Sequence, residues 1–159
     1  MKTLYIMRHG EKDISNPNID DYDVKVTNKG IKDIKNVSKK LKEKGVMPDL
    51  LVASPAVRTK QTAEIVAKEL GYTKNIMYNE VLFQAFVTEV IESITYTFDN
   101  IEKLMIIGHN PSLTALGVNF VGLKDKILMG EVVKIEFNCN SWTSIDSCNA
   151  RLVYHIKPD

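Results

Sequence analysis

Apolar residues in this chain follow two alternating patterns. Runs such as Leu4-Tyr5-Ile6-Met7, Leu50-Leu51-Val52 and Met105-Ile106-Ile107 are continuous and short. They predict buried strands over Thr3 to Met7, Asp49 to Ala53 and Lys103 to Ile107. Ile31, Ile34, Val37 and Leu41 recur at helical spacing, as do Ala63, Val66, Ala67 and Leu70. Val87, Val90, Ile91, Ile94 and Phe98 trace a further amphipathic helix, and another is expected near Ser112 to Val121. Val132 to Phe137 and Arg151 to Ile156 read as paired strands around the polar segment 138 to 149, and Asn75 to Tyr78 as a short strand.

The residues between these patterns supply the punctuation. Residues 11 to 26, with Asn16-Pro17-Asn18 and Asp20-Asp21, read as a loop. Thr27 or Asn28 caps the first helix and Gly45 closes it, while Gly30 costs it some propensity. Ser54-Pro55 suits the cap and first turn of the second helix, which ends at Gly71. Trp142 falls in the polar tip and is expected as an exposed aromatic available to a partner.

Alternating strands and helices imply an α/β fold, a sheet with helices on its faces. The 159 residues fit one domain, 1–159, with 44% hydrophobic and 26% charged residues. A net charge of +1 provides no field to recruit nucleic acid or an anionic membrane. The lysine-rich stretch Lys35 to Lys44 reads as a solvated helix face. Met1-Lys2-Thr3-Leu4 runs straight into the first strand, and no apolar run is long enough for a bilayer, so the cytoplasm is the expected location. Cys139 and Cys148 flank the polar tip, where a cross-strand bridge is geometrically conceivable. In a reducing compartment free thiols are expected, and two cysteines alone make a poor zinc site.

Ligands of open α/β sheets bind beyond the carboxyl ends of the strands. Three segments with chemistry fall there: Arg8-His9-Gly10-Glu11, Ser54-Pro55-Ala56-Val57-Arg58-Thr59 and Gly108-His109-Asn110-Pro111. Arginine offers a planar fork of donors to phosphate oxygens, and neutral histidine offers a nucleophilic nitrogen. Arg58 sits early in a helix, where free amides and the dipole also favour an anion. Nearby guanidinium groups should keep His9 unprotonated. Charge spread over a transferring phosphoryl group matches two arginines and a donating histidine, so no metal or other cofactor is needed.

These segments, with Thr27 and Gly30 and with Gln61-Thr62-Ala63, resemble the histidine phosphatase superfamily, the phosphoglycerate mutase-like fold. The resemblance implies a three-layer α/β/α architecture around a mostly parallel sheet. It makes His9 the nucleophile of a phosphohistidine intermediate, and Arg8, Arg58 and His109 its phosphate pocket. The short length and the absence of a large helical insertion resemble the lidless SixA branch. Glu80 is the expected acid or base, with Glu11 as its rival; Val81-Leu82-Phe83-Gln84-Ala85-Phe86 departs from the glycine-rich continuation of the mutases. Ser54 and Asn16 are candidate phosphate contacts, with a helix cap for Ser54 and loop solvation for Asn16 as the alternatives. Asn110 is expected to shape its turn, and His155 to be structural.

The expected activity is hydrolysis of a phosphomonoester or phosphoramidate, with a phosphohistidine-bearing protein as preferred substrate and partner. A small-molecule phosphatase or mutase is the alternative on the same fold. A phosphate-binding module without turnover is the alternative from another class.

Overall fold

The computed structural model describes residues 1–159. Strands β1 (Lys2–Arg8), β2 (Leu50–Ala53), β3 (Met77–Tyr78), β4 (Lys103–Gly108), β5 (Val132–Phe137) and β6 (Ala150–Ile156) form one sheet. Its order is β3-β2-β4-β1-β5-β6. The pairs from β3 through β1 are parallel, and β5 and β6 close the far edge antiparallel. Helices α1 (Asn28–Glu43), α2 (Val57–Leu70), α3 (Val87–Thr95) and α4 (Ser112–Val121) cover its faces.

The continuous apolar runs exist because the inner strands are buried on both sides. Tyr5 and Met7 of β1, with Met105 and Ile107 of β4, face Ile34, Val37 and Leu41 of α1 and Val66 and Leu70 of α2. Leu4 and Ile6, with Leu104 and Ile106, face Val90 and Ile94 of α3 and Leu113, Leu116 and Phe120 of α4. Two apolar layers on one sheet give the three-layer α/β/α architecture, with no lid over the strand ends.

Helix ends follow local chemistry. Thr27 caps α1 by accepting from the Gly30 amide, and Gly71 closes α2 in the left-handed conformation at φ 77°. Three expectations are corrected. Ser54 is not the cap of α2: the helix begins at Val57, the cap position is Ala56, and Ser54 is buried before it. Phe98 lies beyond α3, which ends at Thr95, and is exposed. Trp142 is fully buried, because its indole Nε1 donates to the Ile101 carbonyl at 2.7 Å and its ring joins the second apolar layer. The polar tip therefore folds inward as two short 3-10 turns, Trp142–Ser144 and Ser147–Asn149. Cys139 and Cys148 are free thiols, and His155 is held by Glu131 at 2.8 Å.

The 11–26 loop is pinned to the body of the fold. Lys12 bridges Val26, the Val26 amide donates to Gln61 Oε1 at 2.8 Å, and the Thr27 hydroxyl donates to Glu11 Oε1 at 2.9 Å. Gly30 makes this possible, since a Cβ there would sit 2.5 Å from Val26 Cγ1 and 2.9 Å from the Glu11 backbone. The helix tolerates a poor former at that position because the loop needs the space. Gly30→Ala is expected to destabilise the protein by about 1–3 kcal/mol through forced movement of packed backbone. A lower urea midpoint at unchanged slope would show this; an unchanged midpoint would contradict the contact.

Candidate active site

Arg8 ends β1 and His9 follows it directly. The His9 amide donates to the Gly108 carbonyl at 3.2 Å, and the Gly10 amide donates to Thr62 Oγ1 at 3.1 Å. The first motif is thereby fastened to the end of β4 and to α2. The Thr62 hydroxyl in turn donates to the Arg58 carbonyl at 2.7 Å, and the Thr59 hydroxyl to the Ser54 carbonyl at 2.7 Å. Asn110 shapes its own turn: its Oδ1 accepts from the Thr114 amide at 3.1 Å, and its Nδ2 donates to the Ile127 carbonyl at 2.8 Å.

The side chains carried by these turns converge. The His9 and His109 rings lie 5.1 Å apart, centroid to centroid. Arg58 Nη2 is 3.2 Å from His109 Nδ1, and His109 Nε2 is 2.9 Å from Ser54 Oγ. His9, Arg58 and His109 are 3%, 4% and 6% exposed. Burying a guanidinium is costly unless partners surround it. Arg58 donates to the carbonyl and carboxylate oxygens of Asp21, the latter at 3.2 Å. Its Nε is buried without a partner, and so is Nε of Arg8, whose Nη1 donates to the Ile127 carbonyl at 3.4 Å. A buried donor without a partner carries an uncompensated desolvation cost, and here two guanidinium groups carry one each.

The His9 ring is held by its own backbone neighbour. Its Nδ1 lies 2.7 Å from the Gly10 carbonyl, which can only accept, so Nδ1 carries the hydrogen. Nε2, the nitrogen left with a lone pair, makes no hydrogen bond within the protein. The proton affinity of His9 is pulled down to about 3, chiefly by burial, against the Gly10 bond and with help from His109, Arg58 and Arg8. His109 is likewise pulled down to about 3, by burial first and then by Arg58. Desolvation thus outweighs the neighbouring cations as the reason His9 stays neutral.

This has a consequence for stability with a definite sign. In the unfolded chain both rings take up a proton below about pH 6.5; in the fold they resist it down to about 3. Stability is full above 6.5 and falls as the pH drops below it, by about 1.4 kcal/mol per ring per pH unit. NMR titration should find both rings neutral at pH 5, while protonation near 6.5 would show that neither is desolvated.

The remaining candidates are distributed differently. Ser54 is in the cluster, hydrogen-bonded to His109. Glu80 is exposed, at the head of a 3-10 turn (Glu80–Leu82), and the next residue, Phe83, packs edge-on against His109 at 5.3 Å. Glu11 is occupied by the Thr27 hydroxyl. Asn16 is exposed, and its Oδ1 accepts from the Asn18 amide in its own loop at 3.0 Å, a turn contact that binds it to the loop rather than to the cluster. Asp21, the partner of Arg58, was not singled out by the sequence: it lies 37 residues away, at the start of a single 3-10 turn (Asp21–Asp23) within the 11–26 segment, where no periodicity marks it. The nearby Lys12 ammonium is 3.6 Å from its carboxylate. No group of three or more histidine, cysteine or acidic side chains is arranged to hold a metal ion.

Comparison with known proteins bears on the family and the fold. Residues 4–82 match the model of the histidine phosphatase superfamily, branch 1. No curated protein matches the chain. Among solved structures, one described as the phosphohistidine phosphatase SixA of Agrobacterium tumefaciens is 18% identical with a TM-score of 0.85, covering 99% of this chain and 98% of that one. A protein histidine phosphatase SixA solved with tungstate is 19% identical, TM-score 0.83, over 98% and 97% of the two chains. A mycobacterial glucosyl-3-phosphoglycerate phosphatase is 12% identical, TM-score 0.72, over 97% and 99%.

Proposed function

We propose that this chain, a phosphatase of the histidine phosphatase superfamily, works through a phosphorylated His9 and acts on protein phosphohistidine. One observation carries the mechanism: the free Nε2 of a tautomer-locked His9 lies in a buried cluster whose two arginines have Nε donors without partners. The phosphoryl oxygens take those donors. His9 Nε2 attacks phosphorus, a P–N bond forms, and the bond to the leaving group breaks. Water then attacks phosphorus, orthophosphate leaves, and His9 is restored. Positioning and electrostatics supply most of the acceleration.

In this reading the pocket is Arg8, Arg58 and His109, and Glu80 protonates leaving groups that require it, from the turn that borders His109. A phosphohistidine substrate demands less of Glu80, because its imidazole leaves readily once protonated. The absence of a lid supports a substrate presented on another protein's surface, and the likeness to SixA structures points the same way. The likeness to a sugar-phosphate phosphatase supports the rival substrate class. A phosphohistidine-bearing phosphotransfer domain and a set of sugar phosphates should be compared as substrates under one condition. The higher kcat/KM is expected for the protein; preference for the sugar phosphates would overturn the substrate assignment.

No helix is long and apolar enough to cross a membrane.

A further inference from the structure

The hydrogen bonds around His109 fix its protonation in the free protein. Arg58 Nη2 can only donate, so His109 Nδ1, 3.2 Å away, accepts and carries no hydrogen. The hydrogen is on Nε2 and is donated to Ser54 Oγ at 2.9 Å. Ser54 Oγ also accepts from the Ala56 amide at 3.3 Å, so neither contact uses the hydroxyl hydrogen. Ser54 is fully buried.

A phosphoryl group reverses what Nδ1 must do. An oxygen settling beside Arg58 is an acceptor and would meet the Nδ1 lone pair. Nδ1 has to carry a hydrogen for the site to close on the anion. We propose that Ser54 is the positioning residue that allows this: its hydroxyl turns from accepting at Nε2 to donating to it, so that neutral His109 exchanges tautomers as phosphate enters. The ring keeps one proton throughout: Nδ1 takes a proton from the entering phosphate monoanion, which stays bound as the dianion, and Nε2 gives up its own hydrogen to solvent. A hydroxyl is the smallest group that can serve either tautomer.

The surroundings favour exchange over a second proton. Arg58 from α2, Arg8 from the end of β1 and Lys12 from the loop are cationic, Asp21 is the one carboxylate among them, and His9 and Phe83 complete the enclosure. Burial and the guanidinium groups hold the ring neutral in the free protein, and in the complex the same guanidinium groups offset the charge of the anion. Ser54 thus acts through His109 instead of touching phosphate, a different role from the direct contact the sequence suggested.

This inference rests on the phosphoryl site proposed above, and one experiment separates the two. The chain has three histidines, so ¹⁵N imidazole shifts are readily assigned. In free protein, Nε2 of His109 should be protonated and Nδ1 bare; with saturating orthophosphate the pattern should invert. Ser54→Ala should lose the inversion and bind orthophosphate about tenfold more weakly, the cost of one buried hydrogen bond. Ser54→Thr, which keeps the hydroxyl, should recover it. The same tautomer with and without phosphate, protonation of both nitrogens in the complex, or inversion in Ser54→Ala would each overturn the proposal. If His9 still takes up a phosphoryl label in those cases, the catalytic reading stands and only the role of Ser54 falls. If orthophosphate does not bind and no label forms, both fall.

Discussion

Replacing His9 with alanine is expected to cut turnover by about 10⁴-fold or more, the scale on which covalent enzymes respond to loss of the nucleophile. The expectation follows from the division of work in the site. In the proposed mechanism His9 forms the bond to phosphorus, and Arg8, Arg58 and His109 hold the oxygens. With alanine at position 9 the anion pocket persists, because the Nε donors of Arg8 and Arg58 belong to other side chains. Orthophosphate should therefore still bind to His9→Ala while hydrolysis is lost. A radioactive phosphodonor should label the native protein in an acid-labile, base-stable form mapped to the peptide containing His9, and should leave His9→Ala unlabelled. Labelling of the variant, or turnover within tenfold of native, would remove His9 from the reaction. A binding module without chemistry predicts a different pair of results, no label in either protein and equal phosphate affinity.

The fold was legible because its apolar periods are clean. Leu4 and Ile6 enter one layer and Tyr5 and Met7 the other, so a run of four apolar residues already implies a sheet covered on both sides. The three turns that meet at the site were legible for a related reason: each directly follows a parallel strand, and parallel strands end on one edge. What escaped was set by contacts rather than by periods. Ser54-Pro55 reads as a helix start, yet Ser54 is drawn into the hydrogen bond with His109, and α2 starts at Val57. Trp142 sits among polar neighbours, and only the distant Ile101 carbonyl and the apolar layer beneath it explain its burial. Asp21 reaches Arg58 from a loop whose path depends on Gln61 and Gly30. A sequence displays its own spacing; it does not display which residue of a loop a guanidinium 37 positions away will find.

Arg58 supports the second large prediction. Arg58→Ala is expected to lower kcat/KM by about 10²–10³-fold, as when one preorganised donor to a developing charge is removed. Two effects are combined in that variant, and they can be told apart. Arg58 holds Asp21 and thereby part of the loop, so its loss also affects stability; it also holds His109 Nδ1, so its loss frees the second histidine. Arg58→Lys keeps the charge but replaces the planar fork with a single ammonium, which cannot reach Asp21, His109 and the anion together. It should recover much of the lost stability and little of the lost rate. Asp21→Asn provides the converse control, since the Asp21 carboxylate is half-exposed and its pair with Arg58 is therefore weak. It should leave the rate near native. If Arg58→Lys restored the rate with the stability, the guanidinium would be a strut for the loop. If Asp21→Asn were as damaging as Arg58→Ala, the working group would be the ion pair, and the anion pocket would have to be redrawn around Arg8 and His109.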